Sequence, residues 1–331
     1  MSRAEARGQF EEEEILDAAI PICDAHHHLW NRPDQRYLLD EFVADASAGH
    51  NVCRSVFVEW RSHYREGGAA EMRSVGETEF AAAVGESTAH GGVRVCAAIV
   101  GYADLSLGSA VAPVLEAHIA AGRGRLKGIR NVATWDADPQ VLGGPPICPP
   151  GLYREPRFRQ GFAALARYEL TFDAWVYQTQ LDDLIDLAHA FPQQPIVLNH
   201  TGGVLGVGGY ANRRDELYQT WRSGMHRLAQ CPNMYVKLGG LGMRRSGFEF
   251  YGHAPHFSSA TIAEAWRPWI DACLDEFGAE RCMFESNFPV DAASCSYRVL
   301  WNAFKRLMSG ASNTQKLQAF HDTAARFYRI D

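Results

Sequence analysis

The sequence predicts an α/β protein: a single-domain (β/α)8 TIM barrel with long βα loops and an extra C-terminal helix. Three observations predict it. Short β-branched or aromatic runs alternate with longer amphipathic stretches, eight times in 331 residues. Such alternation implies a parallel sheet covered by helices, and eight units favour a closed barrel over an open sheet. The first run also ends in "DAHHHLW", not in the glycine-rich phosphate turn that an open doubly wound sheet carries there.

The strands expected, in order, are 20–26 (IPICDAH), 54–59 (RSVFVE), 94–102 (RVCAAIVGY), 126–132 (LKGIRNV), 171–177 (TFDAWVY), 195–200 (PIVLNH), 234–238 (MYVKL) and 281–287 (RCMFESN). Each is short, rich in Val, Ile, Phe, Tyr or Trp, and flanked by polar or glycine-containing stretches. Apolar residues recur at helical spacing over 71–90, 109–121, 157–168, 180–191, 213–230, 260–277 and 297–308, and a last helical stretch, 314–328, closes the chain. The Gly/Pro-rich stretch at 141–153 falls after the fourth strand. Like the long stretches after the sixth and seventh strands, it reads as a βα loop on the face where barrels build their sites. An acidic extension, 1–17, precedes a barrel domain, 18–331.

Composition narrows the function. With 47% hydrophobic and 21% charged residues, the chain has enough apolar surface to fold. Its net charge of -7 gives no electrostatic drive onto nucleic acid or anionic membranes. No apolar run is expected to reach the roughly 18 residues of a membrane span, and no apolar signal segment opens the chain. A cytoplasmic protein is the expectation, and a homo-oligomer is compatible with it. The eight cysteines show no C-x-x-C pair and read as reduced, small packing residues.

Polar residues with chemical capacity gather at the strand ends, which a parallel barrel brings to one rim. His26 and His28 are two apart, so they share a face and can hold one divalent ion or one substrate group, with His27 pointing away. His200 ends strand six. Glu285 and Asn287 share a face on strand eight, with Glu285 one layer deeper and a candidate general base. Glu59 ends strand two and Tyr177 strand five; Lys237 lies on strand seven. Lys127 and Arg130 lie on strand four, but regular alternation lets only one of them face inward. Arg130 and the loop arginines Arg154, Arg244 and Arg245 are candidate clamps for carboxylate or ring oxygens. His253 and His256 are candidate lid contacts. Trp30, Trp60, Trp135, Tyr177 and Phe288 are candidate pocket walls. Glu59, Lys127, Arg130, Tyr177 and Arg245 form the expected substrate-binding set.

Together, "DAHHHLW", "SVFVEW", "LKGIR", "IVLNHTGG", "YVKLGGLGM" and "RCMFESNFPVD" resemble the amidohydrolase-2 family. This branch of the amidohydrolase superfamily includes sugar-acid lactonases and 2-pyrone-4,6-dicarboxylate lactonase. The resemblance runs from about residue 21 to 328. It implies a (β/α)8 barrel, hydrolysis of a lactone or similar carbonyl bond, and a catabolic role. The family's first-strand H-x-H falls on His26 and His28, and its sixth-strand histidine on His200. Its eighth-strand motif usually reads G-S-D-W-P, the Asp serving as base; here the stretch is Glu285-Ser286-Asn287-Phe288-Pro289. The histidine that family decarboxylases place at the end of strand five is missing from "WVYQTQ".

The expectation is therefore a hydrolase opening a lactone of a small carboxylated or polyhydroxylated acid by water attack on its carbonyl. His26, His28, His200, Glu285 and Asn287 form its catalytic set. One divalent ion, zinc or manganese, on His26, His28 and His200 is one reading; metal-free catalysis is the other. Two rivals stand beside it: a metal-dependent decarboxylase or other lyase on the same barrel, and a non-catalytic binding barrel that lost its base.

Overall fold

A computed structural model describes residues 13–89, 92–254 and 257–330. Eight parallel strands follow one another around a single sheet in chain order: β1 (Ile22–His27), β2 (Val52–Val58), β3 (Arg94–Gly101), β4 (Leu126–Val132), β5 (Thr171–Trp175), β6 (Ile196–Leu198), β7 (Met234–Leu238) and β8 (Cys282–Phe284). The seam between β8 and β1 closes just past the end of β8. His26 O accepts from Asn287 N (2.8 Å) and Phe288 O from His28 N (2.8 Å). The Asp24 carboxylate accepts from Ser286 N (2.8 Å) and from the Tyr297 hydroxyl (3.0 Å). The fold class is as expected.

Around the sheet run α1 (Leu39–Ala46), α2 (Val75–Ser87), α3 (Ala112–Gly122), α4 (Pro156–Arg167), α5 (Leu181–Ala190), α6 (Arg214–Ala229), α7 (Ser259–Phe277) and α8 (Tyr297–Leu307). Helix α1 was not anticipated, because only Phe42 and Ala46 of its eight residues are buried and that is too weak a stripe to read. The closing stretch runs α, π, α over Asn313–Leu317, Gln318–Asp322 and Thr323–Phe327. It covers the barrel end opposite the βα loops, where Thr323 Oγ1 donates to Ala279 O just before β8 (3.0 Å). Of the acidic extension, 1–12 lies outside the described residues. Glu13 is docked, its carboxylate accepting from Ser259 N (2.8 Å) and Asn302 Nδ2 (3.2 Å).

One composition reading is corrected. Leu105–Gly122 is long and apolar enough to pass as a membrane span. It is two helical pieces, with a non-helical Gly108 at φ 63° inside the first, and it packs against α4 and α2.

Among the described residues the core has two large parts and a small rim cluster of Val141, Trp175, Tyr177, Leu205 and Met243. One lies between sheet and helices and includes Ile22, Phe57, Ile99, Phe172, Trp221, Trp266, Phe284 and Trp301. The other fills the barrel with small or medium side chains: Cys23, Ala25, Val56, Val58, Ala98, Val100, Val197 and Met283, plugged by Phe327 and Tyr328. All eight cysteines are free.

Three buried histidines outside the barrel interior make the fold acid-sensitive. Burial lowers His27 to about 3, and His50 and His118 to about 4, against about 6.5 in the unfolded chain. Below pH 6.5 the unfolded chain therefore binds more protons, and stability falls as pH drops toward 4. Each histidine contributes up to about 1.4 kcal/mol per pH unit. Buried carboxyls raised by burial, Asp24 to about 6, Glu77 to about 7, and Glu285 and Asp291 to about 8, act in the opposite direction. The histidine share is therefore read by difference. The change in urea midpoint from pH 7 to pH 5 is expected to be less unfavourable in His118→Gln than in the wild type, and an identical change in both would contradict this account.

Candidate active site

The site begins with an irregularity in β1. Cys23 and Ala25 pack inside the barrel, so strict alternation would send His26 and His28 outward. A register shift between Asp24 and His27 changes the parity. His26 and His28 then face inward, while His27 faces the helices, stacked on Phe42 at 4.1 Å and bonded to Ser55 Oγ at 2.9 Å.

His26 is the hub. Its Nε2 lies 3.3 Å from His28 Nε2 and 3.3 Å from Arg130 Nη1. Its Nδ1 lies 3.0 Å from Glu285 Oε2 and 3.4 Å from Lys237 Nζ. His28 Nδ1 bonds Val58 O at 2.7 Å. A carbonyl only accepts, so Nδ1 carries the proton and Nε2 keeps its lone pair. His200 Nδ1 likewise meets Glu285 Oε1 at 2.8 Å, and its backbone N–H donates to the same oxygen at 2.9 Å.

Two ion pairs flank this cluster. Arg130 Nε donates to Glu59 Oε1 at 2.9 Å, with both side chains almost fully buried. Lys237 Nζ lies 2.7 Å from Asp173 Oδ2, also buried, and Asp173 accepts from Tyr328 OH (2.8 Å) and Asn199 Nδ2 (3.0 Å). Each cation is thus matched by its own carboxylate. Glu285 has no such partner; burial above all pushes it up to about 8, against the pull of Lys237. His26, His28 and His200 are held well below their ordinary value, first by burial and then by these cations.

Above the cluster stand aromatic walls. Trp60 and Trp30 lie 5.3 and 5.6 Å from the His28 ring, and Trp175 lies 4.5 Å from His200. Arg245 donates to Tyr177 OH at 3.0 Å and lies over the Trp175 and Tyr177 rings.

His200 and Thr201 have φ of 57° and 52°, a left-handed backbone that costs energy for non-glycine residues. Gly240, at φ 67°, makes room for it: a Cβ there would sit 2.5 Å from His200 Cβ and 2.7 Å from Nδ1. Gly240→Ala is therefore expected to displace the imidazole. A shift of about 1 Å can cost on the order of 100-fold in turnover. Steady-state kinetics with circular dichroism checks this; an active, folded variant would sink the idea.

Two expectations are corrected. Lys127 does not join the cluster, because Arg130 takes the inward face of β4 and alternation puts the half-buried Lys127 on the other. Asn287 does not continue the β8 face, because the strand ends at Phe284 and Asn287 turns at φ 53°. Its amide Nδ2 instead donates to Asp291 Oδ1 at 2.9 Å. Among the loop candidates, Arg154 pairs with Asp183 (2.5 Å) and Arg244 donates to Gln140 O (2.7 Å). Trp135 meets Gln180 through its backbone N–H (3.0 Å). The side chain of Phe288 lies 5.1 Å from Tyr297 in the seam. His253 is tied to Phe250 O through its backbone, and His256 lies outside the described residues.

Sequence reading missed Asp173, Trp175 and Asp291. Asp173 and Trp175 alternate with Tyr177 in "DAWVY", a signal that was present; Asp291 gave none. A groove of about 650 Å³ lies elsewhere, between Leu16–Asp17 and helices α7 and α8.

His26, His200 and Glu285 place possible ligand atoms within 4.8 Å of one another. The donor set suits a divalent ion: neutral imidazoles with lone pairs, and a buried carboxylate whose Oε2 faces only His26 Nδ1, at 3.0 Å and without hydrogen-bond alignment. The 3.3 Å between the Nε2 atoms of His26 and His28 is close to the separation of about 3.4 Å expected for two imidazoles on one tetrahedral ion. The residues fit the group.

Comparison with known proteins gives a family model, described as amidohydrolase, that matches residues 23–330. The uncharacterised protein y4mH of Sinorhizobium fredii is 32% identical, covering 94% of this chain and 99% of that protein. An L-fucono-1,5-lactonase of Burkholderia multivorans is 28% identical over 71% of this chain and 72% of its own. Among solved structures, an amidohydrolase from Burkholderia multivorans with bound HEPES superimposes with a TM-score of 0.71 at 25% identity, covering 94% and 99% of the two chains.

Proposed function

The chain belongs to the amidohydrolase family, and from that premise we propose that it is a hydrolase opening the lactone of a small carboxylated or polyhydroxylated acid. The observation that carries this reading is the convergence of three neutral histidines and one buried carboxylate without a cation of its own beside the rings of Trp30, Trp60 and Trp175. The L-fucono-1,5-lactonase relatives, 28% and 26% identical, support the choice of a cyclic ester over other carbonyl bonds.

Water must lose a proton as it adds to the carbonyl. Glu285 is the acceptor: Oε1 is committed to His200, whereas Oε2 faces only His26 Nδ1, at 3.0 Å and without hydrogen-bond alignment. Raised to about 8, this carboxyl is a stronger base than an ordinary one in its ionised form, whose share grows as pH rises toward 8. His200 presents an Nε2 lone pair, and His28 one shared only with His26 Nε2 at 3.3 Å, that accept a proton from the water or the substrate, and each is held in that tautomer through Nδ1. Arg130 directs Nη1 into the same space and orients the ring or carboxylate oxygens. Trp30, Trp60 and Trp175 pack the ring and keep bulk water out. Where a divalent ion is bound, His26, His200 and Glu285 would hold it beside His28, and it would polarise the carbonyl and lower the pKa of water to about 7.

A panel of aldonolactones and carboxylated pyrones, followed with a pH indicator, tests the reading. Enzyme-dependent acid release on at least one is expected. No release on any, with carbon dioxide evolved from an aromatic acid instead, would replace it with the decarboxylase reading. Metal analysis of protein purified without chelator is expected to find about one zinc or manganese per chain.

A further inference from the structure

The cations around the histidines fall into two kinds. The two that touch His26 are already neutralised, Arg130 by Glu59 at 2.9 Å and Lys237 by Asp173 at 2.7 Å. In the loops, Arg154 is committed to Asp183 and Arg244 to the Gln140 carbonyl. Arg245 is different. It stands in the single turn Arg244–Ser246 that follows β7, and it is half-buried. Among the described residues it forms no ion pair, and its only side-chain hydrogen bond runs from Nη1 to Tyr177 OH at 3.0 Å. The chain carries a net charge of -7, so carboxylates are not scarce. Arginines elsewhere on the surface have taken them, as Arg36, Arg123 and Arg227 have with Glu41, Glu86 and Asp182.

The unmatched guanidinium is also fixed in place. Its Cζ lies 5.9 Å from the centre of the Trp175 ring and 5.4 Å from that of Tyr177. Both rings are buried, and they pack edge to face at 6.0 Å. The backbone is pinned as well, with Arg245 O accepting from Gly206 N at 2.8 Å. A side chain stacked on rings and tied at one corner loses little further freedom when a ligand arrives. Its remaining N–H groups form a fork that matches a carboxylate. Trp175 joins this cation to the chemistry, because its ring also meets the His200 imidazole edge to face at 4.5 Å. One indole therefore separates the unmatched charge from a histidine of the reacting cluster.

The proposed reaction admits neutral and anionic lactones alike. We propose that Arg245 is the specificity-determining residue of the site and receives a free carboxylate, so that the preferred lactone bears a ring carboxylate besides the ester that is opened. The inference rests on the lactonase reading for the reaction, though not for the choice of an anion. Arg130, matched by Glu59, is left the ring oxygens.

Two measurements on the full-length protein test it. The first compares kcat/KM for a lactone bearing a ring carboxylate with kcat/KM for its neutral carboxamide. The wild type is expected to favour the acid at least about tenfold, the worth of a charged hydrogen bond. Arg245→Gln should bring that ratio to about one. Arg245→Lys, which keeps the charge without the fork, should keep part of the preference, and it keeps the test open if Arg245→Gln fails to fold. The second follows binding of tetrahydropyran-2-carboxylate, which has no ester to open, by quenching of tryptophan fluorescence. Its Kd is expected to be at least about tenfold below that of the carboxamide in the wild type only, with the gap narrowing as salt rises. Equal Kd values for the two probes in the wild type, or a preference unchanged in both variants, would overturn the proposal. Lactones opened without a preference that Arg245 controls would sink this inference and leave the reaction standing. Carboxylate binding that needs Arg245, with no lactone opened, would do the reverse.

Discussion

Replacing Glu285 by Gln is expected to lower kcat on the cognate lactone by about 10³-fold while leaving the fold intact. General-base removal typically costs 10²–10⁴-fold, and this side chain has a second task. Its Oε1 accepts both the ring and the backbone N–H of His200, and its Oε2 faces His26 Nδ1 at 3.0 Å. Gln keeps one acceptor for His200 but presents an amide N–H₂ toward the neighbourhood of the Lys237 ammonium, where an acceptor is needed. The variant should therefore also lose bound zinc or manganese. Kinetics, metal analysis and circular dichroism separate the outcomes. Wild-type turnover would remove Glu285 from the mechanism, and Lys237 with His28 would then need a new account. His200→Ala is expected to fall similarly, because it loses a free Nε2.

The largest stability effect is expected at Arg130. The guanidinium donates to the Glu59 carboxylate at 2.9 Å and also bonds the Glu59 carbonyl, and it is fully buried. Arg130→Ala strands a buried carboxylate, which costs about 3–5 kcal/mol. Urea denaturation should show a loss of that order. The double variant Arg130→Met, Glu59→Gln should recover a good part of it, because no uncompensated charge remains. If the single and double variants were equally unstable, lost packing rather than the stranded charge would be the cause. Arg130→Lys is expected to retain the charge but lose the second bond to the Glu59 carbonyl, so it should fall between them.

Much of this architecture was legible in the chain. β4 and β7 have the ends read from their apolar patterns, since both are flanked by polar or turn-forming residues. β6 and β8 came out shorter than expected. The pattern there runs on into His200 and Asn287, whose left-handed backbone ends the strand, and hydrophobic periodicity carries no record of a φ angle. The three histidines and Glu285 were visible because charged or titratable residues at strand ends are conspicuous. Their separate roles were not. Lys127 and Arg130 looked equivalent, and only the register of β4 against its neighbours chose between them. Asp173 was overlooked because an isolated acid within an apolar strand says nothing of its partner, here Lys237 two strands away.

The sequence by itself determined the barrel, the order of its strands and the set of side chains able to do chemistry at its rim. Those follow from local composition and spacing, which each segment carries alone. Only the tertiary structure decided which of those side chains meet. The register shift in β1 turned His26 and His28 inward, Glu59 and Asp173 claimed Arg130 and Lys237, and Glu285 was left as the one buried carboxylate of the cluster without a cation. The physical reason is that charge balance and tautomer are properties of groups brought together across the barrel, and residues tens to hundreds of positions apart share no local pattern.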